Sequence, residues 1–214
     1  MEGSSPGASL CELTLAADPS AWRAAGFDVD DDSAVSIGTV RLRLEGPGAG
    51  RRIVRWALRD LRSTELDGLP TERDAQPPEP GSGRHLNGAE RIDHVVAFSP
   101  DLDRTVAGLR DAGLDFRRLR EGPTPAGAQR QAFFRVGEAI LEVVEHPPDT
   151  PAAENSAAPA RFYGLALATA DIDATAGSLG PLLGEVRDAV QPGRRIATVR
   201  RHAQLGLPVA FMSV

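Results

Sequence analysis

Two arginine doublets, Arg194-Arg195 and Arg200-Arg201, stand close together in the last third of this 214-residue chain. A guanidinium forks onto a carboxylate or phosphate through two parallel hydrogen bonds. Side chains alternate across a strand, so one arginine of each doublet faces a sheet's inner side. Arg195 is the inward one on our reading of RRIATVRR, and a ligand contact there competes with ordinary surface charge. Gln131 and Phe133 lie in the run QAFFRV, where an amide and an aromatic ring line a pocket. Tyr163, the only tyrosine, offers a hydroxyl to a ligand. Cys11 is the only cysteine, so neither an intrachain disulfide nor a thiolate metal cluster can form. No lysine occurs, which excludes Schiff-base and P-loop lysine chemistry. No nucleophile-elbow, His-Glu-x-x-His or Cys-His pattern is present.

The elements that hold these residues repeat. Ile92 to Phe98 reads as a strand. DLDRTVAGLRDAGL then spaces Leu102, Val106 and Leu109 as a helix that stops at Gly113. Phe116 to Arg120, QAFFRV and AILEVVE supply three strands, the last two joined at Gly137-Glu138. The order is β-α-β-β-β. RFYGLALATADIDATAGSLGPLL repeats RIDHVVAFSPDLDRTVAGLRDAG at one constant offset, Arg161 falling on Arg91 and Asp171 on Asp101. Both aspartates read as helix N-caps. GEVRDAV, RRIATVRR and LPVAFMSV complete the second copy with three strands. Toward the N-terminus, IGTVRLRLEGP lines up with VGEAILEVVEHP, which puts Gly38 on Gly137 and Arg43 on Glu142. SLCELTLAADP supplies a first strand with Glu12, and RRIVRWALRDL an extra one. The module's second strand is missing there, and DVDDD reads as a solvated loop. Segments rich in Pro, Gly and Ser separate the copies. The organisation expected is a degenerate module at 8–62, a linker at 63–90, and a domain at 91–214 made of modules 91–146 and 161–214.

Composition narrows the partners. Charged residues make up 25% and the formal net charge is −6, without the basic excess of a nucleic-acid binder. No stretch reaches the roughly 20 apolar residues that span a bilayer. MEGSSPGASL lacks the basic-then-apolar order of a signal peptide, so the cytoplasm is the expected location. The arginine-only usage suggests a GC-rich bacterial genome.

The two βαβββ units, with the opening I-D-H-V-V and the closing A-I-L-E-V-V-E, resemble the vicinal-oxygen-chelate (glyoxalase/bleomycin-resistance/dioxygenase) superfamily. The resemblance covers 91–214 closely and 8–62 loosely. It implies an α+β fold in which paired modules form an incomplete barrel around a cavity. It also implies a divalent metal (Zn, Fe, Mn or Ni) held by first- and last-strand residues. His94 and Glu142 fall on two of those positions. The matching positions in the last module, Gly164 and Ala210, carry no ligating side chain, and Arg43 cannot ligate because it stays protonated. Two donors fall short of the three common in catalytic sites, so His94 and Glu142 are equally a cavity-lining, hydrogen-bonded pair. Arg43 is expected to pair with Glu12. The function implied is binding of a small organic molecule in the cavity, with catalysis left open. The rivals are a metal-dependent lyase, isomerase or dioxygenase using His94 and Glu142, and a non-enzymatic structural or interaction protein. The N-terminal module's open strand edges need a cover, from the same chain or from a second copy in a homodimer.

Overall fold

In the computed structural model, residues 7–50, 52–74, 84–124, 127–147 and 150–214 are described. Residues 1–6, 51, 75–83, 125–126 and 148–149 lie outside them. The chain opens with β1 (Ser9–Leu15), α1 (Pro19–Ala24), β2 (Ala34–Ile37), β3 (Val40–Leu44), β4 (Ile53–Arg59) and β5 (Thr71–Arg73). These strands form one five-stranded sheet in the order β2-β3-β1-β4-β5. Next come β6 (Arg91–Ser99), α2 (Leu102–Asp111), β7 (Asp115–Thr124), β8 (Gly127–Val136) and β9 (Ala139–Glu145). After a single helical turn, α3 (Pro151–Glu154), follow β10 (Arg161–Thr169), α4 (Ile172–Leu179), β11 (Arg187–Asp188), β12 (Arg195–Thr198) and β13 (Val209–Ser213). They build a second, open sheet of eight strands, β11-β12-β13-β10-β6-β9-β8-β7. The fold is α+β, as the sequence implies.

The repeat is visible residue by residue. Asp101 and Asp171 cap α2 and α4 by accepting backbone N–H groups of the first turn. Each helix buries the same three positions, Leu102, Thr105 and Leu109 in one and Ile172, Thr175 and Leu179 in the other. Thr105 meets Ser99 hydroxyl to hydroxyl at 2.6 Å, and Thr175 meets Thr169 at 2.9 Å. Gly137 turns the β8–β9 hairpin at φ +73°, a conformation L side chains rarely adopt, and Gly38 does the same between β2 and β3 at φ +60°.

The N-terminal sheet repeats five strands of the larger one. β1 runs parallel to β3 with Glu12 opposite Arg41, as β6 runs parallel to β9 with His94 opposite Ile140. β1 is antiparallel to β4 with Glu12 opposite Ala57, as β6 is to β10 with His94 opposite Ala166. β4 is parallel to β5, as β10 is to β13. Even the register shifts correspond: Cys11 and Val54 are the extra residues in one strand pair, Asp93 and Tyr163 in the other. The first unit therefore holds a module without its second strand, plus the first and last strands of another.

It follows that the first unit runs past residue 62, to Arg73. The stretch expected as a linker, 63–90, is built into the fold at both ends. Leu66 and Leu69 are buried, and Asp67 accepts hydrogen bonds from Arg104 at 2.8 Å and from the Thr105 hydroxyl. At the other end, buried His85 accepts from the Asp28 N–H and contacts the Ser36 carbonyl, and buried Asn87 donates to the Ala25 carbonyl. Composition hid these contacts, because they are made by single residues without periodicity. The two sheets share one continuous apolar core. Trp22 donates to the Leu205 carbonyl, Phe27 stacks near Phe211, and Trp56 meets Phe162 edge-on at 5.1 Å. Among the described residues, no helix is long and apolar enough to cross a membrane.

Candidate ligand-binding site

The face of the eight-stranded sheet opposite the buried positions of β8 and β9 carries the candidate site. Ala132, Phe134, Leu141 and Val143 point into the core, so alternation turns Gln131, Phe133, Ile140 and Glu142 to the other face. His94 joins them from β6. Strict alternation would send its neighbour Asp93 into the core. The register shift between Ala166 and Leu167 leaves Asp93 as an extra residue, and such a bulge re-aims a side chain. Asp93 and His94 consequently act together.

The site is a chain of polar contacts. Asp93 Oδ2 sits 2.9 Å from His94 Nδ1, and Arg194 donates to Asp93 Oδ1 at 2.6 Å. Arg194 is itself fixed on the Ser213 carbonyl and on Gln191. Burial alone would raise the Asp93 carboxyl; hydrogen bonds from His94 and Arg194 outweigh it and hold the group at about 2. An ionised Asp93 accepts only, so His94 donates to it from Nδ1 and turns Nε2 toward Glu142. Nε2 lies 3.6 Å from Glu142 Oε2, outside direct hydrogen-bond reach. Gln131 donates to the other Glu142 oxygen at 2.7 Å. Burial pushes the Glu142 carboxyl above its usual range, with His94 and Arg120 pulling the other way. Beside them opens a cavity of about 210 Å³, lined by Asp93, His94, Arg117, Arg118, Phe133, Ile140, Glu142 and Gln191. Arg118 lies over the Phe133 ring at 4.8 Å. The arrangement brings apolar side chains, two arginines and a buried carboxyl to one cavity.

Sequence reasoning named His94, Glu142, Gln131 and Phe133, and the structure brings these four together. It separates the other two. Arg195 pairs with Asp173 at 2.7 Å on an exposed flank, and its neighbour Arg194 reaches the site instead. Tyr163, extra to its strand pairing and more than a third exposed, lines a different groove and lies against Arg52 and Phe98. Asp93 and Arg118 went unnamed, and Arg194 was named only as the other member of the Arg195 doublet. Asp93 adjoins His94 in the sequence, yet only the register shift, invisible there, puts both at one site.

The donor set does not fit the metal centre that the resemblance implies. His94 and Glu142 face each other, but Gly164 and Ala210 offer no side-chain donor. A Cβ on Gly164 would fall 2.5 Å from the Pro208 carbonyl oxygen, so no side chain is accommodated there. Asp93 is committed to His94 and Arg194. No cluster of three or more His, Cys, Asp or Glu side chains arranged for a metal ion exists among the described residues. In the N-terminal sheet the corresponding positions are Glu12, Arg43, Arg55 and Glu72. They form two ion pairs, Glu12–Arg43 at 3.1 Å and Arg55–Glu72 at 3.2 Å. The second guanidinium also reaches Glu45. That face is closed by charge pairing where the larger sheet keeps a cavity.

Residues 91–194 match the family model of the Glyoxalase/Bleomycin resistance protein/Dioxygenase superfamily. Among solved structures, methylmalonyl-CoA epimerase from Mycobacterium tuberculosis is 18% identical with a TM-score of 0.47, over 59% of this chain and 89% of that one. A variant of the Streptomyces coelicolor methylmalonyl-CoA epimerase in complex with 2-nitronate-propionyl-CoA is 22% identical with a TM-score of 0.47, over 58% and 94%. The hypothetical protein BH1468 from Bacillus halodurans is 15% identical with a TM-score of 0.47, again over 58% and 94%. No curated protein sequence matches this chain.

Proposed function

We propose that the chain, whose residues 91–194 match the family model of the Glyoxalase/Bleomycin resistance protein/Dioxygenase superfamily, binds a small organic acid against His94 and Glu142. The cavity itself carries this reading: about 210 Å³ of space lined by Arg117 and Arg118 together with Phe133 and Ile140. A ligand carboxylate would meet the guanidinium groups, and its apolar body Phe133 and Ile140. Its oxygen or acidic carbon would face Glu142 and His94 Nε2. With only two free donors, the site works without a resident metal. A thermal-shift screen with small mono- and dicarboxylates tests this. A subset should raise Tm, and the shift should vanish in His94→Ala and Arg118→Ala. A shift that survives both variants, or none at all, would overturn the reading.

A second reading is favoured by one observation, the raised Glu142 carboxyl beside an imidazole held by Asp93. A carboxyl titrating closer to working pH suits general acid–base catalysis. Glu142 would take a proton from carbon next to a carbonyl and return it, with His94 Nε2 accepting or relaying it, as in an isomerase or lyase. Proton exchange into a bound ligand from D2O, lost in Glu142→Gln, would establish this; binding without exchange would refute it.

A further inference from the structure

A second groove has no part in the site above. It holds about 750 Å³ and shares no lining residue with the His94 cavity. One wall belongs to the N-terminal unit, with Ala16, Asp18, Pro47 and Arg52, and the other to the segment from Thr198 to Pro208. Arg52, Arg200 and Arg201 line it, against one acidic residue, Asp18. Asp18 faces its own helix, accepting the Ser20 N–H at 2.8 Å. Arg52 lies over the Tyr163 ring at 5.2 Å and Arg200 spends its Nε on the Leu183 carbonyl at 3.0 Å. None of Arg52, Arg200 and Arg201 makes an ion pair among the described residues, whereas Arg194 and Arg195 do. Val199, Leu205, Leu207 and Pro208 add an apolar wall.

We infer that this groove is a second ligand site, for an organic phosphate. Arginines lining one groove with few opposing carboxylates match a doubly charged oxyanion, because each guanidinium offers parallel donors to tetrahedral oxygens. The apolar wall takes the organic part, which inorganic phosphate lacks. The groove's floor is also the seam between the two units. Gly206 runs so close to β1 that a Cβ there would fall 2.6 Å from the Ala16 carbonyl oxygen, and Leu205 accepts the Trp22 indole N–H. A ligand held by Arg52 from one side and Arg201 from the other ties the units together, and so raises the stability of the whole chain.

Titration calorimetry of the full chain with phenyl phosphate, and separately with inorganic phosphate, tests this. Phenyl phosphate should bind, and several-fold more tightly than inorganic phosphate. Arg201→Ala and Arg52→Ala should each weaken it about tenfold or more, the loss of one charge-assisted contact. Arg201 is exposed, so the variant should keep the native circular dichroism and melting temperature without ligand. Arg118→Ala, in the lining of the His94 cavity, should leave phenyl phosphate affinity unchanged. No binding at millimolar phenyl phosphate overturns the proposal. So does weakening by Arg118→Ala with Arg201→Ala silent, which would move the phosphate to the other cavity. Equal affinity for the two probes removes the organic half of the claim.

Discussion

At the scale of residues, the site rests on two carboxylates pushed in opposite directions. Asp93 is depressed to about 2 by its partners, against an ordinary value of 3.8. A depressed carboxyl contributes stability that is present above the unfolded value and is lost as pH falls toward the folded one. Urea unfolding should therefore show about 2 kcal/mol lost between roughly pH 4 and pH 2, a loss absent in Asp93→Asn. Glu142 is raised, so its sign is reversed: the fold favours the neutral form, and ionisation as pH rises works against stability. Glu142→Gln keeps an acceptor for Gln131 and should melt above the wild type at pH 7, the gap closing toward about pH 4. A lower Tm at pH 7 would show that the buried charge stabilises the fold. The Glu12–Arg43 pair, by contrast, forms as the sequence predicts. With Arg43 at 40% side-chain exposure, however, it belongs nearer the surface class, worth about 1 kcal/mol or less.

At the scale of elements, the sequence shows the helices and strands of 91–214 clearly because their patterns are long and used twice. β9, for example, occupies the predicted AILEVVE without a shift. His94, Glu142, Gln131 and Phe133 follow from strand alternation. Arg194 does not, since it precedes β12 and escapes alternation, and Asp93 does not, since a register shift re-aims it. The strap from Leu61 to Arg73 was hidden for another reason: isolated residues anchor it. Its anchor is Asp67, which is 12% exposed and bound to Arg104 and Thr105 of α2. Asp67→Ala leaves Arg104 only the more distant Asp101 carboxylate, at 3.9 Å, and should cost about 2–3 kcal/mol, below the roughly 3–5 of a fully buried pair, because Arg104 is partly exposed. Arg117→Ala, whose pair with Asp115 is exposed, should change stability by under about 1 kcal/mol. Equal midpoints in chemical denaturation for the two variants would contradict this reading of the strap.

At the scale of the molecule, one unit keeps an open cavity and the other has the equivalent face sealed by ion pairs. The larger sheet packs its core against Trp22, Phe27 and Trp56 of the smaller one. Residues 84–214 expressed alone should therefore melt lower than the full chain and bind a hydrophobic dye, and 7–74 alone should not unfold cooperatively. Full thermal stability of 84–214 would instead make the first unit an independent domain. The central claim concerns the cavity between Arg118, Phe133, His94 and Glu142. Its most direct test is a crystal structure with the most stabilising carboxylate from the thermal-shift screen. The account predicts the carboxylate on Arg117 and Arg118, and the rest of the ligand on Phe133 within contact of Glu142 and His94 Nε2. A solvent-filled cavity, with the ligand bound elsewhere, would contradict it.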